Sequence, residues 1–188
     1  AYLEPPALEA LIDGAPAPMV LVVNPANGPG PNATAAYRRA IERAQASGAR
    51  VLGYVATTFG ARSPGVVLEE IERYREWYGV DGIFLDEVAH DAVHLSYYVA
   101  LRRAMGDGFV ALNPGMVPVR GYFVLADIVV TYEGPFADYA RRLALEPDWL
   151  ADVPREPIAH LVYPASRAQA PPPFPPPPGA LPLFTTSP

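Results

Sequence analysis

Val80-Asp81-Gly82-Ile83-Phe84-Leu85-Asp86-Glu87 reads as a buried strand that runs into two adjacent carboxylates. Ile83, Phe84 and Leu85 form a short apolar run behind the turn signals Gly79 and Asp81-Gly82. That is the pattern of a strand covered on both faces, as in parallel sheets. An ionised carboxylate buried without a partner costs several kcal/mol or neutralises. The strand must therefore end at Asp86 and Glu87, at an opening. In parallel α/β architectures the carboxyl ends of the strands are where sites are built.

Outward from this stretch the same unit repeats. Apolar, β-branched runs predict strands over 19–23, 51–55, 109–112, 128–132 and 158–162. Weaker candidates lie at 2–3 and at 181–185, where Pro182 interrupts the run. Helical spacing and capping signals fall between them. Asn32 or Thr34 opens a helix that reaches Ser47 and stops at Gly48. Ser63-Pro64 opens another that stops at Gly79, and further helical segments are expected over 92–105, 119–125 and 136–145. Only one or two helical turns fit between Leu8 and Ile12. Strand alternating with helix means βα units and a parallel sheet. Eight strands predict a compact (β/α)₈ TIM-type barrel, with weak or missing helices after strands 1, 7 and 8. A doubly wound open sheet is the alternative. The chain is expected to form a single domain over 1–188. Its Pro-rich segment, 164–180, would cross the barrel wall in place of a helix.

Composition narrows the function classes. The 188 residues are 51% hydrophobic and 18% charged, enough for one domain with a real core. The formal net charge is −6, and all 14 basic residues are Arg. No basic stripe is present, which argues against nucleic acid as a partner. Cysteine is absent, so disulfides and thiolate metal sites are excluded. No apolar run approaches ~20 residues, so no membrane-spanning helix is expected. Ala1-Tyr2-Leu3 reads like the inside of a strand, which suggests that residues upstream are missing. A secreted or cell-surface location and a monomeric state are the expectations.

On the barrel reading, the strand ends carry Tyr2, Glu4, Asn24, Tyr54, Asp86, Glu87, Asn113, Glu133, His160, Tyr163 and Thr185. The set is acidic, amidic and aromatic, without a cation. A glycosidase needs one carboxyl group to protonate the leaving oxygen and another to activate water or attack the anomeric carbon. Tyr and Asn offer stacking faces and hydroxyl partners for a neutral sugar. Asp86, Glu87 and Glu133 are thus the candidate catalytic residues. Asn24, Tyr54, Asn113, Tyr2 and His160 are the candidate sugar contacts. Adjacent strand residues point to opposite faces, so Asp86 and Glu87 can share the mouth only if the chain turns between them. This chemistry calls for no cofactor and no metal.

Other readings of the same residues stay open. Asp86 and Glu87 could cap the next helix, and Asn24 and Asn113, each before Pro, could be turn formers. His160 in an apolar run also fits a satisfied core histidine. Gly28-Pro29-Gly30 lacks the Lys and the spacing of a phosphate loop. Glu87, His90, Asp91 and His94 fall on one helical face. With Asp86, residues Glu87, His90 and His94 could hold a divalent metal for a hydrolase or deacetylase. A carbohydrate-binding barrel without turnover is a third possibility.

Several of these stretches together are similar to the spherulin-4 family. They are Asn24-Pro25 with Gly28-Pro29-Gly30, Val51-Leu52-Gly53-Tyr54-Val55-Ala56-Thr57, the Trp77 helix, Asp81 to Glu87, Asn113-Pro114-Gly115 and Glu133. They occur in the family's order and are strongest between Val20 and Glu133. The resemblance implies a (β/α)₈ barrel. It also implies endo-acting hydrolysis of galactosaminogalactan, a biofilm polysaccharide, at α-1,4-linked N-acetylgalactosamine. The family's essential acids match Asp86, Glu87 and Glu133. After Glu133 the sequence departs from the family's pattern.

Overall fold

The computed structural model describes residues 5–14, 20–154 and 157–163. Within them, six strands form one all-parallel sheet in the order β1-β2-β3-β4-β5-β6. These are β1 (Val20–Val23), β2 (Arg50–Ala56), β3 (Gly82–Asp86), β4 (Phe109–Leu112), β5 (Ile128–Pro135) and β6 (Ile158–Tyr163). The helices are α1 (Pro5–Gly14), α2 (Ala35–Ala46), α3 (Pro64–Tyr78), α4 (Leu95–Met105) and α5 (Phe136–Leu143). The neighbour order never reverses, so the doubly wound alternative is excluded: that topology reverses at a switch point. The described residues amount to a curled, barrel-like sheet with β1 and β6 at its edges, not the closed eight-stranded barrel expected from sequence. The candidate strands at 2–3 and 181–185, and the Pro-rich segment, lie outside the described residues.

Strand alternation divides the core in two. Leu21, Val23, Val51, Val55, Ile83, Leu85, Val110 and Leu112 point outward and pack under Ile41, Ile71, Tyr74, Tyr98 and Leu101 of the helices. Leu52, Tyr54, Phe84, Ala111, Ile128, Val130 and Leu161 point the other way and fill the concave side. Register ties the layers together: Tyr54 pairs with Phe84 and Ala56 with Asp86, while Phe84 pairs with Ala111. Asp86 therefore continues the inward-facing row of β3.

Local signals explain most boundaries. Pro64 opens α3, and Gly79 ends it in a left-handed conformation with φ 60°. Gly53 lets α3 approach β2: a Cβ there would lie 2.4 Å from the Tyr74 ring. The helix expected from residue 92 begins later, at Leu95. Asp91 accepts the His94 backbone N–H at 3.0 Å, which caps the incoming turn. The segment expected over 119–125 contracts to one 3₁₀ turn, Arg120–Tyr122. No helix among the described residues is long and apolar enough to cross a membrane.

Candidate active site

The carboxyl ends of β2, β3, β4 and β5 bring four polar side chains into one connected cluster. Asp86 is the last residue of β3 and faces the concave side. Its Oδ2 accepts the Tyr54 hydroxyl at 2.7 Å. Its Oδ1 accepts the Asn113 side-chain amide at 2.7 Å. The same Asn113 nitrogen lies 2.7 Å from Oε2 of Glu133. Asn113 is itself fixed, because its Oδ1 takes the Gly115 N–H at 3.0 Å. It is 4% exposed, whereas Glu133 is exposed, so the cluster runs from the core into solvent.

Glu133 reaches this cluster through an irregularity. In β5, Ile128 and Val130 belong to the concave side. Strict alternation would send Tyr132 inward and Glu133 outward. A register shift lies between Val130 and Tyr132. Thr131 then meets His160 at 3.0 Å, and the Tyr132 ring packs on Tyr139 and His160, both on the helix side. The bulge rephases the strand and turns Glu133 inward, toward Asn113.

The chain also turns between the two adjacent acids. Glu87 has φ 50°, in the left-handed region, and lies outside β3. Glu87 is half-buried. Its charge helps to keep the Arg62 guanidinium protonated, behind the larger effect of the hydrogen bond from Arg62 to Glu70. Arg62 is a cation that the strand-end inventory did not include. It donates to the Ala56 carbonyl at 2.7 Å and to Glu70 at 2.6 and 3.1 Å.

The remaining expected site residues divide. Asn24 directly follows β1, is 5% exposed, and its Oδ1 accepts the Gly28 N–H at 2.7 Å. That bond organises the loop after β1. His160 is not brought to the mouth. Ala159 and Leu161 take the concave positions on β6. His160 lies under α5, with Nδ1 2.7 Å from the Tyr139 hydroxyl and Nε2 3.0 Å from Thr131. Burial there lowers its pKa below the usual value. Tyr2 lies outside the described residues. The alternative metal set is not assembled: no group of three or more His, Asp or Glu side chains among the described residues is placed to hold an ion. His94 instead pairs with Asp91 at 3.0 Å. Two further residues, Thr57 directly after β2 and Tyr98 in α4, meet through their hydroxyls at 2.9 Å; the sequence reading places Thr57 only in a family-like stretch and gives Tyr98 no role.

A separate cavity of about 760 Å³ is bounded by His90, Met116, Arg120, Tyr132 and Trp149. It shares no residue with the Asp86 cluster. The Asp86 cluster, by contrast, brings carboxylates from two strands together with amide and hydroxyl donors and opens to solvent at Glu133.

The sequence model of spherulation-specific family 4 matches residues 6–171. Spherulin-4 of Physarum polycephalum is 35% identical over 123 residues, 61% of this chain and 36% of that protein. The chain thus spans about a third of the length of this curated relative. The crystal structure of Aspergillus clavatus Sph3 in complex with GalNAc superposes with TM-score 0.74 at 29% identity, covering 86% of this chain and 74% of Sph3. The C-terminal domain of a putative chitinase from Desulfitobacterium hafniense DCB-2 gives TM-score 0.52 at 12% identity, over 76% of this chain and 56% of that one. The second likeness is one of fold alone.

Proposed function

The chain belongs to spherulation-specific family 4, and we propose that it is an endo-acting glycoside hydrolase that cuts an amino-sugar polysaccharide with the carboxylates at its strand ends. The observation that carries this reading is the Asn113 amide held 2.7 Å from both Asp86 and Glu133. Two acids from different strands, fixed at one point and open to solvent, are what acid-assisted glycoside cleavage requires. The likeness to Sph3, solved with GalNAc, supports an N-acetylgalactosamine-containing substrate such as galactosaminogalactan.

Roles follow from surroundings. Asp86 meets a donor on each oxygen, which suits a carboxylate that accepts and attacks. Glu133 is the exposed member and can reach the glycosidic oxygen as proton donor. Each bridged oxygen is 2.7 Å from one nitrogen, so these two oxygens are at most twice that distance apart, 5.4 Å. Retaining enzymes hold their carboxyl groups at about 5–5.5 Å and inverting ones at about 6.5–9.5 Å, so the spacing supports retention. In the first step Asp86 attacks the anomeric carbon while Glu133 protonates the departing oxygen. In the second, Glu133 takes a proton from water, which releases the sugar from Asp86. Tyr54, Asn113 and Asn24 position the ring, and Glu87 supports the pair.

The test is reducing-end release from galactosaminogalactan by the wild type, Asp86→Asn and Glu133→Gln, with and without EDTA. Release that survives EDTA and is lost in both variants upholds the reading. Release lost to EDTA, or retained in either variant, overturns the carboxylate-pair mechanism.

A further inference from the structure

The turn at Glu87 is held from the core by a line of buried hydroxyls. Thr57 is wholly buried and Tyr98 is 1% exposed. Thr57 Oγ1 lies 2.8 Å from the Glu87 carbonyl and 3.1 Å from that of Asp86. The Tyr98 hydroxyl lies 2.9 Å from Thr57 Oγ1, and it receives the Ala89 N–H at 2.9 Å. Counting protons fixes the direction. The Ala89 N–H can only donate, and the Glu87 carbonyl can only accept. The Thr57 hydrogen is therefore committed to the carbonyls, and the Tyr98 hydrogen goes to Thr57 Oγ1. The relay runs from Ala89 N–H through Tyr98 and Thr57 to the Glu87 carbonyl.

This relay spans the residues on either side of Val88, whose own N–H donates to the Asn113 carbonyl at 3.0 Å. The backbone it grips is unusual. Glu87 adopts φ 50°, and the facing Thr58 and Phe59 adopt 48° and 53°. Residues with a Cβ occupy this region only when their surroundings impose it. The Phe59 N–H adds a 2.6 Å bond to the same Glu87 carbonyl. Packing does not require the hydroxyls: the Tyr98 ring already contacts Tyr97 and Tyr122, at centroid distances of 4.9 and 5.4 Å. What the hydroxyls add is the conformation that ends β3 at Asp86 and redirects the chain at Glu87.

We propose that Thr57 and Tyr98 are positioning residues for the hydrolysis, their hydroxyl relay fixing the Glu87 turn and with it the placement of Asp86 and Glu87 against Glu133. The proposal rests on the reading of these acids as the reacting groups. Both side chains are buried, away from solvent. Both act through the backbone of the two adjacent acids.

The experiment compares Tyr98→Phe, Thr57→Val and Thr57→Ser with the wild type on galactosaminogalactan, with folding matched by circular dichroism. A small misplacement of reacting groups costs on the order of 100-fold. The expected result is kcat reduced about 10- to 100-fold in Tyr98→Phe and Thr57→Val, with KM within about twofold of wild type. The limbs of the pH–rate profile should move with kcat. Thr57→Ser, which keeps the hydroxyl, should restore both. Unchanged kcat and pH limbs in the first two variants would overturn the proposal, as would equal damage in Thr57→Ser and Thr57→Val. A wild type without turnover would defeat the functional reading instead. The relay is then read by ¹³C NMR titration of the Asp86 and Glu87 carboxyls. Displaced curves in Tyr98→Phe uphold its hold on the turn, and superposable curves refute it.

Discussion

The side-chain nitrogen of Asn113 stands between Asp86 and Glu133, 2.7 Å from an oxygen of each. One buried amide thereby sets the distance between acids on strands that are not neighbours. It gives one N–H to each acid and so holds the pair at a fixed spacing. Asn113 is held in turn by the Gly115 N–H.

Removing that amide should disable the pair without unfolding the domain. Asn113→Ala is expected to lower kcat by about 100-fold, the scale of a lost preorganised donor. The thermal unfolding temperature should also fall, because the truncation leaves an Asp86 oxygen and the Gly115 N–H without their partner, but a loss of about 1–3 kcal/mol leaves the domain folded. Steady-state kinetics and a melting curve on the same preparation check both statements.

Tyr54 places a 2.7 Å donor on the other oxygen of Asp86. A hydrogen bond to a charged group contributes about 1.5–3 kcal/mol. Tyr54→Phe keeps the ring on Phe84, 6.4 Å away centroid to centroid. It should therefore cost about 10- to 100-fold in kcat/KM, and removing the donor from a partly buried carboxylate should also lower stability, by up to about 3 kcal/mol.

Gly53 tests the packing that brings β2 under α3. A methyl group there would sit 2.4 Å from the ring of Tyr74, which is wholly buried and donates to the Val23 carbonyl at 3.2 Å. Overpacking of this kind costs about 1–3 kcal/mol or more. Gly53→Ala should lower stability by at least that range in urea denaturation. Gly48→Ala tests backbone strain in isolation: nothing lies within 4 Å of its Cβ position, but its φ is 90°.

His160 predicts a pH dependence of stability. Burial lowers its pKa from the ordinary 6.5. Above about 6.5 the ring is neutral in both folded and unfolded chains, and it contributes no penalty. As the pH falls through 6.5 the unfolded chain takes up the proton first, so stability declines until the lowered folded-state pKa is reached. Below that the contribution levels off. His160→Gln should flatten this part of a stability-against-pH curve, and an unaltered slope would contradict the assignment.

How much of this was legible from sequence depended on periodicity. The six described strands coincide with apolar runs flanked by Gly, Pro or Asn. Asp86 was placed at the mouth because charge cannot continue a buried strand. Asn113 and Tyr54 followed from their positions after or within such runs, but their mutual bonds with Asp86 required the register of β2, β3 and β4. Glu133 was found at a strand end by composition, yet its inward direction depends on the bulge after Val130, which no local signal announces. His160 shows the opposite failure. Its place on β6 was right and its face was not, because the flanking apolar residues on both sides gave alternation no polar phase to read. The Glu87 turn was required on stereochemical grounds, but its support by Tyr98, 11 residues onward in a helix, is tertiary and invisible to spacing. The two further strands expected at 2–3 and 181–185 lie outside the described residues.

The most direct measurement is the anomeric configuration of the first product released from α-linked galactosaminogalactan, followed by ¹H NMR before mutarotation. The close spacing of Asp86 and Glu133 predicts an α product, with release abolished in Asp86→Asn. A β product would contradict the close carboxylate pair as nucleophile and proton donor, and release by Asp86→Asn at the wild-type rate would contradict the site itself.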